Sequence, residues 1–193
     1  MVFIVIFGEK LLYQIFEYGI IYNIINTWET NIMKIGENMI EEYMKMALKE
    51  AEKAYRKEEV PIGAIIVKDG KVIAKAHNLR EKKRQACAHA EIIAIQKACK
   101  KLKSWRLEDC EMYVTLEPCP MCAGAIMNAR IKKLYIGAME PKFGSVGSKV
   151  NLLEEVIFNH TVEVEKGVCK EESVKLLQDF FKKLRARNKE KKK

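Results

Sequence analysis

The sequence is poor in the residues that interrupt regular structure, with 4 prolines and 10 glycines among 193 residues. It has no internal repeat and no low-complexity linker, and its 32% charged and 49% apolar residues are ordinary globular values. This composition argues against disordered, collagen-like and membrane-bundle proteins. At this length, one compact domain with a sizeable core is expected.

The first 32 residues are strongly apolar, yet they lack the features of a targeting segment or a membrane span. No basic residue precedes the apolar run, and no small-residue cleavage site follows it. Charged residues at positions 9, 10 and 17 interrupt it well before the roughly 20 residues that a bilayer span requires. We interpret residues 1–37 as an apolar appendage outside the domain, translated from an upstream start codon, with Met33 or Met39 as the natural start. No membrane partner is expected.

The six cysteines favour reduced thiols over a disulfide framework. Disulfide-dense scaffolds are small and secreted, whereas this chain is lysine-rich and large enough to form a core without them. We therefore predict a cytoplasmic protein. The cysteines are Cys87, Cys99, Cys110, Cys119, Cys122 and Cys169.

Positive charge is unevenly placed along the chain. The net charge is +9, and residues 1–39 hold two Lys against four Glu, which leaves +11 to residues 40–193. The last twelve residues carry eight basic side chains against one Glu, which is typical of a solvated helix end. The alternative is a clamp on phosphate groups, which "REKKR" (80–84) and "KKLKSWR" (100–106) would reinforce. Charge alone favours the nucleic-acid interpretation by a small margin.

The first half of the domain predicts a helix followed by a hairpin. Asn38, with Glu41 three residues later, forms a variant of the capping box and predicts the start of a helix. Two β-branched runs in residues 60–77 flank Asp69-Gly70, which predicts a hairpin with a two-residue type I′ turn. The continuous apolar run "IGAIIV" predicts a strand that is covered by helices on both faces of the sheet.

The second half predicts a βαβ unit. Residues 88–102 have helical spacing, with His89 at the start, and 111–116 form a strand by composition. A short helix over 120–130 and a strand over 132–138 then imply parallel pairing with a right-handed crossover. A fifth strand is predicted at 162–167, and a C-terminal helix from residue 171 to 187. The predicted domain is therefore 38–187, followed by a basic tail, 188–193.

The segment "EPCPMC" places Cys119 and Cys122 three residues apart, after a predicted strand and at the first turn of a helix. A helix N-terminus stabilises thiolates, so the pair suits a thiol–disulfide redox centre or half of a zinc site. Two buried structural thiols are the third alternative. Pro120 fits the first turn of that helix.

The segment "HAE" at 89–91 favours zinc over the other two alternatives. His89 also lies at a predicted helix start, and with Cys119 and Cys122 it makes three ligands with a fourth position open, as in catalytic zinc sites. A general base is then needed beside the metal, and Glu91 is the candidate. In a structural site, Cys87 or Cys110 would instead close the fourth position.

His-x-Glu followed by Pro-Cys-x-x-Cys is the signature of zinc nucleobase deaminases. Most of residues 40–187 resembles the bacterial tRNA-specific adenosine deaminases of the zinc-dependent cytidine/deoxycytidylate deaminase superfamily. The resemblance lies in "EVPIGAIIV", "AHAE", "WRLEDCEMYVTLEPCPMCAGAI", "IGAMEPKFGSVGS", "FNHTVEV" and "LLQDFFKKLR".

The resemblance implies an α/β fold with three α/β/α layers, a mixed five-stranded sheet between helices, and a homodimer with one Zn²⁺ per subunit. It implies hydrolytic deamination of adenosine to inosine at the wobble position of a tRNA anticodon stem-loop. His89, Cys119 and Cys122 would be the zinc ligands, Glu91 the proton shuttle, and Asn78 a contact to the target base.

The chain departs from the family pattern at two positions near the site. Glu140, at a substrate-binding position, stands where related sequences usually have Asp, which keeps the charge but lengthens the side chain. Cys87 stands where Thr is more usual. Two alternatives to the implied function remain open: a free-base or nucleoside deaminase for guanine, cytosine or cytidine with the same zinc site, and a non-catalytic zinc-stabilised RNA-binding module.

Overall fold

The computed structural model describes residues 20–153 and 159–190. The predictions for residues 1–19 of the appendage and for the last three residues of the basic tail lie outside this range. The chain divides into two compact units, Met1–Ile40 and Glu41–Lys193. No helix within the described ranges is long and apolar enough to cross a bilayer.

The described residues form five helices and five strands. The helices are α1 (Ile20–Arg56), α2 (Arg80–Lys83), α3 (Ala90–Leu102), α4 (Pro120–Asn128) and α5 (Lys170–Glu190). The strands are β1 (Gly63–Lys68), β2 (Lys71–His77), β3 (Cys110–Leu116), β4 (Lys133–Ala138) and β5 (Glu163–Lys166).

The strands form one mixed sheet in the order β2-β1-β3-β4-β5. Strand β1 pairs antiparallel with β2 and with β3, whereas β3 pairs parallel with β4, and β4 with β5. The parallel β3-α4-β4 connection is the predicted βαβ unit, because only a crossover through a helix can return the chain to the same end of the sheet. The predicted five-stranded sheet is confirmed.

Helices cover both faces of the sheet because successive residues of its central strands point to opposite faces and are apolar or aromatic on both. On one side, Ile66, Met112 and Leu134 join a buried cluster with apolar residues of α3 and α4. On the other side, Tyr113 packs against Tyr43 of α1, with ring centroids 5.3 Å apart. Helix α5 packs on β4 and β3. The three-layer α/β/α prediction is therefore confirmed.

The hairpin between β1 and β2 has the predicted turn. Asp69 and Gly70 both have positive φ angles, 48° and 68°, as a two-residue type I′ turn requires. The turn brings Lys68 opposite Lys71 in the antiparallel register. The first five residues of β1 are buried, which agrees with the prediction of a strand covered on both faces.

The predicted helix start at Asn38 is wrong. Helix α1 already begins at Ile20 and passes through Asn38 without interruption. A side chain with capping chemistry begins a helix only where the preceding backbone leaves the helical conformation. Here the upstream segment continues the helix, even through Gly36. Asn38 and Glu41 therefore lie in the middle of the helix, and both are exposed to solvent.

Candidate metal and active site

His89 and Cys119 occupy the same position in two neighbouring helices, the residue immediately before the first helical turn. His89 precedes α3 with φ −76° and ψ 154°, and Cys119 precedes α4 with φ −74° and ψ 172°. These are extended conformations, and neither side chain makes a capping hydrogen bond to its own helix. Both side chains are therefore available to a shared partner. Pro120 begins α4, as predicted.

The structure brings His89, Cys119 and Cys122 together. Their ligand atoms all lie within 4.8 Å of one another. Nδ1 of His89 is 3.7 Å from Sγ of Cys119 and 3.5 Å from Sγ of Cys122. One imidazole nitrogen and two thiolates form the donor set that zinc prefers, and three protein ligands leave a fourth position for water or substrate.

Neither of the other cysteines considered as a fourth ligand belongs to this cluster. Cys110 is the first residue of β3, whereas Cys119 follows the opposite end of that strand. The length of the strand separates its two ends by about 20 Å. Cys87 is exposed, and its thiol lies outside the cluster.

The two thiols of the cluster differ in pKa because Cys122 donates a hydrogen bond that stabilises the thiolate of Cys119. A hydrogen bond from Cys122 and a second one from His89 lower the pKa of Cys119 to about 4. The hydrogen bond to Cys119 and burial raise the pKa of Cys122. The protein alone thus accommodates one negative charge on the pair. A bound cation would make the second thiolate favourable as well, because ligand thiols lose their protons on metal binding.

Glu91 lies in the first turn of α3 and is 3% exposed. Its Oε2 is buried and has no hydrogen-bond partner among the described residues. Burial, as the largest cause, raises the pKa of this carboxyl group. An isolated buried carboxyl oxygen costs free energy, so a ligand or water that supplies its partner would be favourable.

Asn78 lies in the loop between β2 and α2 and is 4% exposed. Its Nδ2 donates a 3.4 Å hydrogen bond to Oε2 of Glu59. The next residue, Leu79, donates its backbone N–H to the carbonyl of Ala88 at 3.0 Å. Because Ala88 directly precedes His89, this bond holds the Asn78 loop beside the entry of α3.

Glu140 lies in the loop after β4. In the chain it follows the metal cluster, whereas Asn78 precedes it. Its Oε1 accepts the backbone N–H of Lys142, and its own backbone N–H donates to Oε2 of Glu117 at 2.8 Å. In the same loop, Ser145 donates its N–H to the carbonyl of Pro118 at 2.9 Å. The bonds to Glu117 and Pro118 connect this loop to the segment that precedes Cys119.

Glu117 is a second buried carboxylate of this region, and sequence analysis assigned it no role. Besides the Glu140 amide it accepts the backbone N–H groups of Val146 and Ser148, at 2.9 and 3.0 Å, and the Ser148 hydroxyl. Burial acts to raise the pKa of Glu117, but these hydrogen bonds outweigh it and lower the pKa. Gly144 packs directly on the carboxylate, where a Cβ atom would collide with it.

The sequence alone did not indicate the two glutamates that hold the Asn78 and Glu140 loops, Glu59 and Glu117. The available signal was a Glu directly before a recognisable segment: Glu117 comes between β3 and the two cysteines in "EPCPMC", and Glu59 comes between the end of α1 and "VPIGAIIV". Their partners lie 22 and 29 residues away in sequence, among backbone amides that carry no sequence signature.

Comparisons with known proteins identify relatives of this chain. A model of the MafB19-like deaminase family matches residues 38–185. The tRNA-specific adenosine deaminase of Bacillus subtilis (strain 168) is 54% identical over 147 residues, which cover 76% of this chain and 91% of that protein.

Solved structures extend the similarity to the fold. One, from a study of A-to-I editing by tRNA deaminases at the wobble position, is 45% identical with a TM-score of 0.68 and covers 70% of this chain and 99% of its own. The guanine deaminase of Nitrosomonas europaea is 24% identical with a TM-score of 0.65, over 72% and 83% of the two chains, and shares the fold.

The family match contains the whole sheet and every residue of the cluster, together with Glu91, Asn78 and Glu140. The relative from Bacillus subtilis is matched over nearly its full length. The chain belongs to the tRNA-specific adenosine deaminase family.

Proposed function

We propose that this protein hydrolyses adenosine to inosine at the wobble position of a tRNA anticodon, with one zinc ion per subunit held by His89, Cys119 and Cys122. The observation that carries the proposal is the convergence of these three ligand atoms, within 4.8 Å, beside a buried carboxyl oxygen that lacks a partner among the described residues. A purely structural metal site would have no use for that carboxyl group.

The donor set fits zinc. When bound there, zinc supplies Lewis-acid activation of a water molecule. His89 offers Nδ1 to the cluster, and the two thiols come from the start of one short helix that begins at the site. The dipoles of α3 and α4 both point their positive ends toward the thiolates and so stabilise them.

Glu91 moves the protons of the reaction. Its carboxylate takes a proton from the attacking water and delivers it to N1 of the adenine ring, while the water oxygen bonds to C6. It then transfers the proton of the new C6 hydroxyl group to the amino group, the C6–N bond breaks as the C6 carbonyl forms, and ammonia leaves. The buried position of Glu91 excludes bulk water from these transfers.

The substrate side of the site lies on the two loops that carry Asn78 and Glu140. Asn78 contacts the extruded base, and Glu140 contacts the flanking nucleotides. All residues from 80 to 87 are exposed, and four of them are basic. This segment therefore places positive charge next to Asn78. Exposed basic residues also lie in the last turns of α5. Phosphates of an anticodon loop would be attracted to both surfaces.

The proposal extends to cellular location and assembly. A tRNA substrate and six free cysteines fit a cytoplasmic protein. A homodimer is proposed from the family resemblance, and light scattering on the purified protein tests it.

The substrate class is tested by incubating the purified protein with an anticodon stem-loop and, in parallel, with free adenosine, cytidine and guanine. Inosine and ammonia are expected from the stem-loop alone, because the basic surfaces contribute affinity only for RNA. Turnover of a free base or nucleoside would instead support the alternative, a small-molecule deaminase with the same metal site. A stem-loop with guanosine at the wobble position is the matched substrate control.

The metal ligands are tested by zinc content per chain. Cys119→Ser is expected to lose most of its zinc, because one thiolate of three ligands is removed. Cys110→Ser and Cys87→Ser are the matched controls and are expected to keep about one zinc per chain. Loss of zinc from either control would mean that the site is closed by a fourth cysteine and is structural.

A further inference from the structure

Glu59 is a buried carboxylate outside the metal cluster, and the proton transfers assigned to Glu91 do not use it. It follows the end of α1, where Glu58 adopts a left-handed conformation with φ 60°. The backbone N–H of Glu59 then bonds to the carbonyl of Ala54 at 3.0 Å, which is the closing bond of a helix C-terminal turn. This turn places Glu59 in the interior, 1% exposed.

The neighbouring residue has the opposite environment. Glu58 is exposed and pairs with Arg187 of α5 at the surface. The chain thus has two adjacent glutamates, of which one faces solvent and one faces the protein interior. Glu58 therefore offers a matched control for Glu59.

Three donors from one short stretch of chain converge on the Glu59 carboxylate. The backbone N–H of Lys82 donates to Oε1 at 2.7 Å, and that of Glu81 donates to Oε2 at 3.1 Å. The side-chain amide of Asn78 donates to Oε2 at 3.4 Å. Glu59 thus satisfies the first free amides of α2 and, through the same carboxylate, fixes the side chain of Asn78.

A carboxylate that accepts backbone hydrogen bonds can receive only the amide nitrogen of Asn78. The reversed amide would place Oδ1 against Oε2, two acceptors without a proton between them. Glu59 therefore selects one orientation of the carboxamide, in which Oδ1 points away from the carboxylate. Asn78 is then an acceptor of fixed direction, and its remaining N–H is a donor.

We infer that Glu59 is a positioning residue for substrate, which orients the Asn78 carboxamide toward the target base and holds the start of the basic segment 80–84 next to it. The inference rests on the proposed function, because it needs Asn78 to contact the base. The same carboxylate thereby fixes the position of Asn78, which contacts the base, relative to the basic segment, which attracts phosphate. A wrongly oriented amide would present donors where the base requires an acceptor.

A double-mutant cycle on the full-length protein tests this role, with kcat/KM for stem-loop deamination as the readout. Asn78→Ala and Glu59→Gln are each expected to lower kcat/KM by about tenfold, as expected for loss of an oriented hydrogen bond. The double variant is expected to lose clearly less than the hundredfold product of the two single losses, since Glu59 acts on the base through Asn78. Glu58→Gln is the matched control and is expected to keep wild-type kcat/KM.

A merely structural cap would give a different result. The two losses would then multiply to about a hundredfold in the double variant, and that outcome overturns the role of Glu59 alone. If Glu59→Gln does not fold, Glu59→Asp decides by the same cycle, because it keeps the charge and shortens the reach. Normal kcat/KM in Asn78→Ala would also overturn the inference. Wild-type protein that forms no inosine would instead overturn the proposed function itself.

Discussion

Glu91 and Glu117 flank the metal cluster symmetrically, and their surroundings differ. Glu91 comes two residues after His89, and Glu117 comes two residues before Cys119, and each is 3% exposed. Glu117 accepts four hydrogen bonds, whereas Oε2 of Glu91 has none among the described residues. The pKa of Glu117 is lowered by its hydrogen bonds against the effect of burial, and that of Glu91 is raised by burial.

Equal burial therefore does not give these two carboxylates equal roles. A carboxylate whose lone pairs are all occupied fixes the loop around it and has no capacity left for a proton. One with a free oxygen is costly to the fold but can exchange a proton with a ligand. Selection for stability alone would remove the second kind, which is why its presence beside a metal cluster points to function.

The largest expected effect comes from replacing Glu91, the carboxyl group whose Oε2 has no partner among the described residues. Glu91→Gln is expected to lower inosine formation by about 10²–10⁴-fold, since a positioned proton-transfer group contributes that much. Its zinc content is expected to stay at the wild-type level, and its unfolding midpoint at or above that of wild type, because no native hydrogen bond of Oε2 is lost. Single-turnover assays, metal analysis and thermal unfolding measure the three quantities.

The matched control for this substitution is Glu52→Gln on α1. Glu52 is exposed and pairs only weakly with Arg56, at 3.8 Å, so activity and stability should both stay unchanged. Loss of zinc in Glu91→Gln would make Glu91 a ligand rather than a proton carrier. Retained activity would remove it from the reaction.

Removing the fully partnered carboxylate is expected to reverse the pattern. Glu117→Gln replaces one acceptor oxygen by a donor facing the amides of the loop, so the free energy of unfolding should fall by about 3 kcal/mol. Activity should fall much less than in Glu91→Gln wherever the variant is folded. Urea unfolding measures the first quantity. Equal stability of Glu117→Gln and wild type would contradict the assignment of Glu117 as the residue that fixes the loop.

The smallest expected effect concerns a third buried glutamate, Glu50, far from the metal ligands in sequence. Its oxygens lie 2.5 Å from Nζ of Lys53 and 3.0 Å from Nδ1 of His77. Burial acts to raise the pKa of Glu50, but the hydrogen bonds from Lys53 and His77 outweigh it and lower the pKa below the ordinary value of 4.5. The stabilisation from Glu50 is therefore complete above about pH 4.5.

As the pH falls through the lowered pKa, this stabilisation is lost, because the native state must then bind a proton that the unfolded chain already holds. Glu50→Gln should be less stable than wild type by about 1 kcal/mol at pH 7, and the difference should shrink below pH 4.5. Unfolding experiments across this range measure it. Glu52→Gln removes an exposed carboxylate from the same helix and should follow wild type at every pH. A constant difference between Glu50→Gln and wild type across this range would contradict the prediction.

Much of the fold could be predicted because its signals are local. Asp69-Gly70 specifies its turn through backbone sterics alone, and Pro120 marks the first turn of α4. The start of α1 could not be predicted from Asn38, because a cap depends on what the preceding chain does as well as on the capping residue. Local chemistry thus predicts a boundary only when the neighbouring segment allows it.

The clustering of His89, Cys119 and Cys122 could be predicted because residue type and spacing are local features of the sequence, and the structure brings the three side chains together. The two glutamates that hold the neighbouring loops could not be predicted from the sequence. Glu59 and Glu117 bind backbone amides, which nearly every residue type provides, so nothing in the partner sequence identifies them. Such residues become visible only when the fold brings distant backbone to a buried charge.

The positions of His89 and Cys119 limit how this protein can be made more stable. Each occupies the N-terminal capping position of its helix without making a capping bond, where Ser, Asp or Asn would contribute about 1 kcal/mol. Replacing either residue by a good cap would improve a helix and remove a proposed zinc ligand. Engineering for heat resistance must therefore leave both helix entries as they are and seek its gains on the exposed helix surfaces instead.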